Sequence, residues 1–234
     1  MPIVLPIADS RESYTINPGK IIAVGLNYVD HVKESNIYDT RELDVPKEPV
    51  IFAKTPNVLI GPGEEIVIPA FLKEYNFPEL RVDYEAELAV IIGRGGKNIP
   101  EDSALDHVFG FTCFNDVSAR NIQKTDTSGW FRGKSLDTFG PIGPVVVPRE
   151  KIADIQNLTV QCRLNGKVMQ KASTSQMIFP VARLISYISR NMSLQEGDII
   201  ATGTPSGVGP IKQGDIVEID IEGIGILKNP VVEE

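Results

Sequence analysis

Between residues 82 and 93 the chain alternates side chains with a period of two. An extended backbone turns successive side chains to opposite faces. Val82, Tyr84, Ala86, Leu88, Val90 and Ile92 therefore form one apolar face. Asp83, Glu85 and Glu87 share the other, which becomes apolar again at Ala89 and Ile91. The pattern predicts one strand of ordinary length. Apolar runs predict further strands over 20–25, 49–54, 65–69 and 108–116, with a Gly61-Pro62-Gly63 turn between the second and third of these. From residue 158 onward strands and turns dominate, and Gly197-Asp198 and Gly214-Asp215 each introduce a β run. Helical patterning is sparse. Asn27 is placed to cap a short helix, a second lies near 101–107, a third follows Asp116, and an amphipathic one spans 179–190. Residues 35–48 and 71–81 are polar and without period; the first is compatible with a lid over a site or with a plain surface connection.

Composition narrows the function classes. The 234 residues are 42% hydrophobic and 23% charged, enough for one sizeable core, so a single domain over 1–234 is expected, with 1–48 as an N-terminal segment carrying the lid. A net charge of −8 argues against a nucleic-acid or anionic-membrane surface. The first residues lack the basic and apolar regions of a signal peptide, and no apolar run reaches the roughly 18 residues of a membrane span. Cys113 and Cys162 have no CxxC spacing and read as reduced core thiols. A cytoplasmic protein is the expectation.

Candidate chemistry gathers at a few places. Carboxylates at i and i+2 of a strand lie roughly 7 Å apart, within reach of one cation. A half-buried strand with a wet acidic face would give the same pattern, but Ala89 and Ile91 make that face apolar at one end, as at the mouth of a buried pocket. Asp116 ends the apolar run 108–115, where it could ligate an ion or cap the following helix. His31 and Glu34 are i and i+3 on a helix, the arrangement of an imidazole oriented for proton transfer, and equally of a chance surface pair. Arg120 and Gln123 share a helix face suited to an anion. Lys134 sits in a Gly/Pro-bounded loop, and the Gly-rich 201–209 stretch can converge backbone N–H groups without being a phosphate P-loop.

Five stretches in order resemble the fumarylacetoacetate hydrolase family over nearly the whole chain from about residue 21. They are Gly25-Leu26-Asn27-Tyr28 with His31 and Glu34, Asp83-Tyr84-Glu85-Ala86-Glu87-Leu88, Asn115-Asp116-Val117-Ser118-Ala119-Arg120, Gly133-Lys134-Ser135-Leu136-Asp137-Thr138, and Thr202-Gly203-Thr204-Pro205. The resemblance implies an α+β, predominantly β fold, a mixed β-sheet roll with a few short helices, usually a homodimer. It implies Mg²⁺ or Mn²⁺ on Glu85, Glu87 and Asp116, with Lys134, Arg120, Gln123 and Thr204 around the substrate's oxygens and Tyr28 lining the pocket. His31 and Glu34 match the family's water-activating dyad. The implied activity is metal-dependent C–C hydrolysis of acylpyruvate-like 2-oxo acids, with oxaloacetate decarboxylation beside it. The alternative is the isomerase and decarboxylase branch that handles hydroxyheptadienedioates. Leu26 stands where some acylpyruvases have Arg, a departure that weakens the first assignment. A non-catalytic roll that binds metal or small acids would leave His31, Glu34 and Lys134 together unexplained.

Overall fold

The computed structural model describes residues 3–38, 45–127 and 129–234, with the helical backbone alone for 35–38. Two sheets carry most of the chain. A seven-stranded sheet runs in the order Val50–Lys54, Ile21–Gly25, Ile199–Ala201, Ala86–Ile92, Val108–Asn115, Gly140–Pro148, Leu59–Ile60. A five-stranded sheet runs Lys167–Ser173, Thr159–Leu164, Ile216–Ile221, Gly225–Glu233, Ile66–Ile68. Most neighbours are antiparallel, but Ile199–Ala201 lies parallel to Ile21–Gly25, Gly140–Pro148 to Leu59–Ile60, and Gly225–Glu233 to Ile66–Ile68. This is the mixed, mostly β roll that the resemblance implies.

The alternating faces of 82–93 find separate destinations. Leu88, Val90 and Ile92 share one core with Val217, Ile219, Ile221 and Leu227 of the five-stranded sheet. Ala89 and Ile91 share another with Ile21, Ala23, Ile199, Ala201, and with Leu5 and Ile16 of the hairpin Ile3–Pro6/Ser13–Ile16. The Val181–Asn191 helix buries Val181, Leu184, Ile185 and Ile188 in the first core, the i, i+3, i+4, i+7 stripe expected of an amphipathic helix. Cys113 and Cys162 are buried and unbridged, as expected. Among the described residues no helix is long and apolar enough to cross a membrane.

Three local expectations need correction. The 82–93 stretch is two strands, Val82–Tyr84 and Ala86–Ile92, in different sheets. Val82–Tyr84 pairs instead with Ser118–Ala119 and Gly209–Pro210. At the break the Asn115 side-chain oxygen accepts the Glu85 N–H at 2.9 Å and the Glu85 carbonyl accepts the Asp116 N–H at 2.9 Å, so the chain changes sheet without an orphaned backbone group. Lys134 is not on a loop; it ends a short helix, Phe131–Lys134. Asn27 does not cap the Val29–Tyr38 helix: its amide donates to the carbonyls of Thr202 (2.7 Å) and Phe179 (3.1 Å) and accepts the Phe179 N–H (2.8 Å). Residues 39–44 of the expected lid lie outside the described residues.

Candidate metal centre

The break at Glu85 positions the candidate site. Glu85 lies between the two strands, Glu87 one step into Ala86–Ile92, and Asp116 just beyond the end of the neighbouring Val108–Asn115. All three are buried, and each offers a carboxylate oxygen within 4.8 Å of the others. Asp83, on the same face by alternation, does not join them. It pairs with Arg81 at 2.8 Å and with Arg120 at 2.9 Å.

Cations already surround the cluster. The Lys134 ammonium donates to Glu85 Oε2 at 2.7 Å and Asp116 Oδ2 at 2.6 Å. Lys54 donates to Asp116 Oδ1 at 2.6 Å, and to the Val117 carbonyl at 3.3 Å, with its side chain fully out of solvent. Arg120 bonds Glu85 Oε1 at 2.5 Å and the Gln123 side chain at 2.8 Å, so its fork is spent on the centre and on Asp83. Ser118 also donates to Glu85, at 3.1 Å.

The three carboxylates are not alike. Burial opposes the charge of Glu85, but Lys134 and Arg120 outweigh it and hold its carboxyl well below the usual range. Among the described residues no side-chain cation is hydrogen-bonded to Glu87, and Lys134 acts on it only through its charge. Burial first, then Asp116 and Glu85, push its carboxyl well above the usual range, against the charge of Lys134 and the Gly203 N–H at 2.8 Å. The lysines also differ. Burial and the neighbouring Lys134 lower Lys54, whereas for Lys134 the pull of Asp116 and Glu85 exceeds the burial penalty and raises it. Tyr28 is 2% exposed, and its buried hydroxyl has no partner among the described residues; burial and then Glu87 raise its pKa.

These observations test the fit of a metal. Three buried carboxylates form an all-oxygen donor set, the kind hard divalent ions prefer. The raised Glu87 is the group a dication would return to its charged form. The residues present fit an ion of that class.

His31 and Glu34 lie beside the centre. His31 Nδ1 is 3.3 Å from Glu34 Oε2, and the Gly207 N–H reaches both Glu34 oxygens at 3.1 and 3.0 Å. The Gly-rich loop thus spans the site: Gly203 touches Glu87 at one end and Gly207 touches Glu34 at the other. Gly203 has φ +95°, and a Cβ there would stand 2.7 Å from that of Asn27. Thr204 Oγ1 accepts from Gln170 Nε2 at 2.8 Å, and Gln170 Oε1 accepts the Ala86 N–H at 3.0 Å. Every expected site residue therefore falls in this region. Lys54 and Gln170 were missed. A lysine closing the apolar run 50–53 was a signal for the first; nothing in the sequence marks Gln170.

Residues 20–232 match the family model described as fumarylacetoacetate (FAA) hydrolase C-terminal. The chain belongs to the fumarylacetoacetate hydrolase family. It is 45% identical to the mitochondrial oxaloacetate tautomerase fahd2 of Xenopus laevis over 92% of this chain and 66% of that protein. Among solved structures, 2-hydroxyhepta-2,4-diene-1,7-dioate isomerase from Mycobacterium marinum is 40% identical with a TM-score of 0.80, covering 96% of this chain and 82% of that one. Fumarylpyruvate hydrolase from Pseudomonas aeruginosa, solved with Mn²⁺ and pyruvate, is 29% identical with a TM-score of 0.86, covering 100% and 97%. Family members act on small organic substrates and bind divalent metal. Relatives of this chain are hydrolases, isomerases and tautomerases, so an enzyme is supported.

Proposed function

We propose that this family member is a Mg²⁺- or Mn²⁺-dependent enzyme that hydrolyses a C–C bond in acylpyruvate-like 2-oxo acids. The observation that carries the reading is the His31–Glu34 pair, pinned by the Gly207 N–H beside a buried Glu85–Glu87–Asp116 cluster. Hydrolysis needs an oriented base to deprotonate the attacking water, a role that decarboxylation does not require.

Bound at the cluster, a divalent ion supplies Lewis-acid stabilisation of enolate charge. The remaining steps belong to the chain. Glu34 at Nδ1 fixes the tautomer with the proton on Nδ1, which leaves Nε2 as the base. Nε2 takes a proton from water as the water oxygen attacks the distal carbonyl. The C–C bond to the pyruvyl carbon then breaks, its electrons form the pyruvate enolate, and protonation of that carbon gives pyruvate and a carboxylic acid. The Lys134 ammonium offers its third and longest hydrogen bond, 3.4 Å to the Asp116 carbonyl, as the one a substrate oxygen can replace. Arg120 holds Glu85 in place, and Gln170 orients Thr204 Oγ1. The homodimer implied by the resemblance is part of the same proposal, and sedimentation checks it.

A second reading, oxaloacetate keto–enol tautomerisation, is favoured by the 45% identity to a protein named for that activity. There His31 would move a proton between C3 and the enol oxygen, making or breaking the C3–H bond while every C–C bond stays intact. Incubation with acetylpyruvate or oxaloacetate under Mg²⁺ or Mn²⁺, followed by proton NMR, separates the two. Pyruvate plus acetate, lost with EDTA, supports hydrolysis; faster enol–keto exchange of oxaloacetate without cleavage of acetylpyruvate supports the second. His31→Ala should lower hydrolysis by about 100-fold. An unchanged rate would remove the dyad from the mechanism.

A further inference from the structure

Residues 202–208 of the Gly-rich loop lie outside any strand, and side chains hold them in place. Gln170 Nε2 donates to Thr204 Oγ1 at 2.8 Å and to the Pro205 carbonyl at 2.7 Å. Two residues on, the Tyr84 hydroxyl donates to the Gly207 carbonyl at 3.0 Å. The Tyr84 ring is wholly buried in the larger core, so its hydroxyl is a polar tip carried up to the loop from below.

From Gly207 the connection continues to the base. The Gly207 N–H reaches both Glu34 oxygens at 3.1 and 3.0 Å, and Glu34 Oε2 lies 3.3 Å from His31 Nδ1. Gly207 is thus gripped twice, at its carbonyl by Tyr84 and at its N–H by Glu34. The grip matters because φ at Gly207 is +95°, where the backbone is held by its bonds and not by a side chain. Released at the carbonyl, the residue can turn its N–H away from Glu34, and the carboxylate loses the donor that aims it. The packing around this bond is close. A Cβ on Gly207 would collide with the Met169 carbonyl, and one on Gly209 would stand 2.8 Å from the Tyr84 hydroxyl oxygen.

We propose that Tyr84 is a positioning residue for His31: its hydroxyl fixes Gly207, Gly207 fixes Glu34, and Glu34 fixes which imidazole nitrogen carries the proton. Tyr84 directly precedes Glu85, so the segment that delivers a carboxylate to the cluster also aims the base. What His31 does once aimed rests on the hydrolase reading above; how it is held does not.

The chain has two histidines, which makes the tautomer directly observable. Protein labelled with ¹⁵N in its histidines gives two imidazole patterns in a long-range proton–nitrogen spectrum. His107, whose Nδ1 lies 2.7 Å from the Arg94 carbonyl, serves as the internal reference for folding. Spectra are taken with diamagnetic Mg²⁺ at about pH 8, above the ordinary imidazole range. Wild-type His31 should show a protonated Nδ1 and a bare Nε2, and Glu34→Ala sets the limit reached without the carboxylate. Tyr84→Phe keeps the ring and removes the hydroxyl alone, and should move the His31 shifts toward that limit while His107 stays in place. Gly207→Ala disturbs the same link from the loop side and should move His31 the same way, so it decides the matter if Tyr84→Phe fails to fold. In Tyr84→Phe, kcat for acetylpyruvate should fall about two- to tenfold, the worth of one hydrogen bond, with KM within about twofold. His31 shifts that coincide with wild type overturn the proposal, whatever happens to kcat. Shifts that move in an enzyme whose wild type cleaves no acetylpyruvate support the positioning and overturn the hydrolase reading instead.

Discussion

Replacing Lys54 by Met separates the stability of the metal-free protein from its affinity for metal, and in opposite directions. Met preserves the length of the buried stem and removes the charge that meets Asp116 Oδ1 at 2.6 Å. Breaking a buried ion pair costs about 3–5 kcal/mol because the surviving charge is left without its partner. Here Lys134 still pairs with Asp116 at 2.6 Å, and the repulsion between the two lysines disappears. The loss should therefore fall near the lower end, about 3 kcal/mol. For a chain of this size each kcal/mol moves Tm by roughly 2–4 °C, so the chelator-treated variant should melt roughly 6–12 °C below wild type. Metal binding should respond the other way. Two unit charges about 4 Å apart interact by ~4 kcal/mol at an effective dielectric of 20. Recovering even a third of that, as a competing cation leaves Asp116, tightens the ion about tenfold. The assays are thermal melts in EDTA and calorimetric titration with Mn²⁺. A variant that binds Mn²⁺ more weakly would refute the competition argument and make Lys54 a support that aims Asp116.

Other outcomes follow from the same geometry. Glu87 has its carboxyl raised in the fold, so its contribution to stability is complete below its unfolded pKa of about 4.3 and is lost as pH rises through the folded value. Metal-free protein should accordingly lose stability from Glu87 as pH climbs, while Mn²⁺ affinity rises and each ion taken up releases protons; calorimetry in buffers of different ionisation heat measures this, and affinity flat between about pH 5 and 8 contradicts it. Asn27→Ala leaves the Phe179 N–H and the carbonyls of Thr202 and Phe179 without their partner, at a cost of about 2–4 kcal/mol in a denaturant titration, and an effect below about 0.5 kcal/mol would contradict that accounting.

The alternation of 82–93 was a sound guide to which side chains meet, and a poor one to where the strand ends. Val82, Tyr84, Ala86, Leu88, Val90 and Ile92 all enter one core, as a period of two requires. Yet the strand breaks at Glu85, because the Asn115 side chain takes the Glu85 N–H, a tertiary substitution invisible in local pattern. The 179–190 helix and the strands after the two Gly-Asp turns were legible because their period and turn chemistry are local. Asp116 was legible as an acid closing an apolar run. Lys54 was read only as the last residue of a strand, since a buried lysine is defined by the carboxylate opposite it, here 62 residues away. Asn27 looked like a cap for the same reason: its partners, Thr202 and Phe179, are more than 150 residues distant.

The parallel pairing of Ile21–Gly25 with Ile199–Ala201 sets how the cleft can move. Both strands leave the sheet at the same end, one into the segment that carries His31, the other into the loop that holds Glu87 and Glu34. Two side-by-side rails therefore deliver the two walls, and Asn27 bolts them together just past the sheet. A shift of one rail drags both walls, so the cleft cannot gape like a clamshell along that seam. A displacement of the helix relative to these rails would have to break the contacts between Glu34 and the Gly207 N–H. Among the described residues, that clasp is where this helix is fastened to the Gly-rich loop.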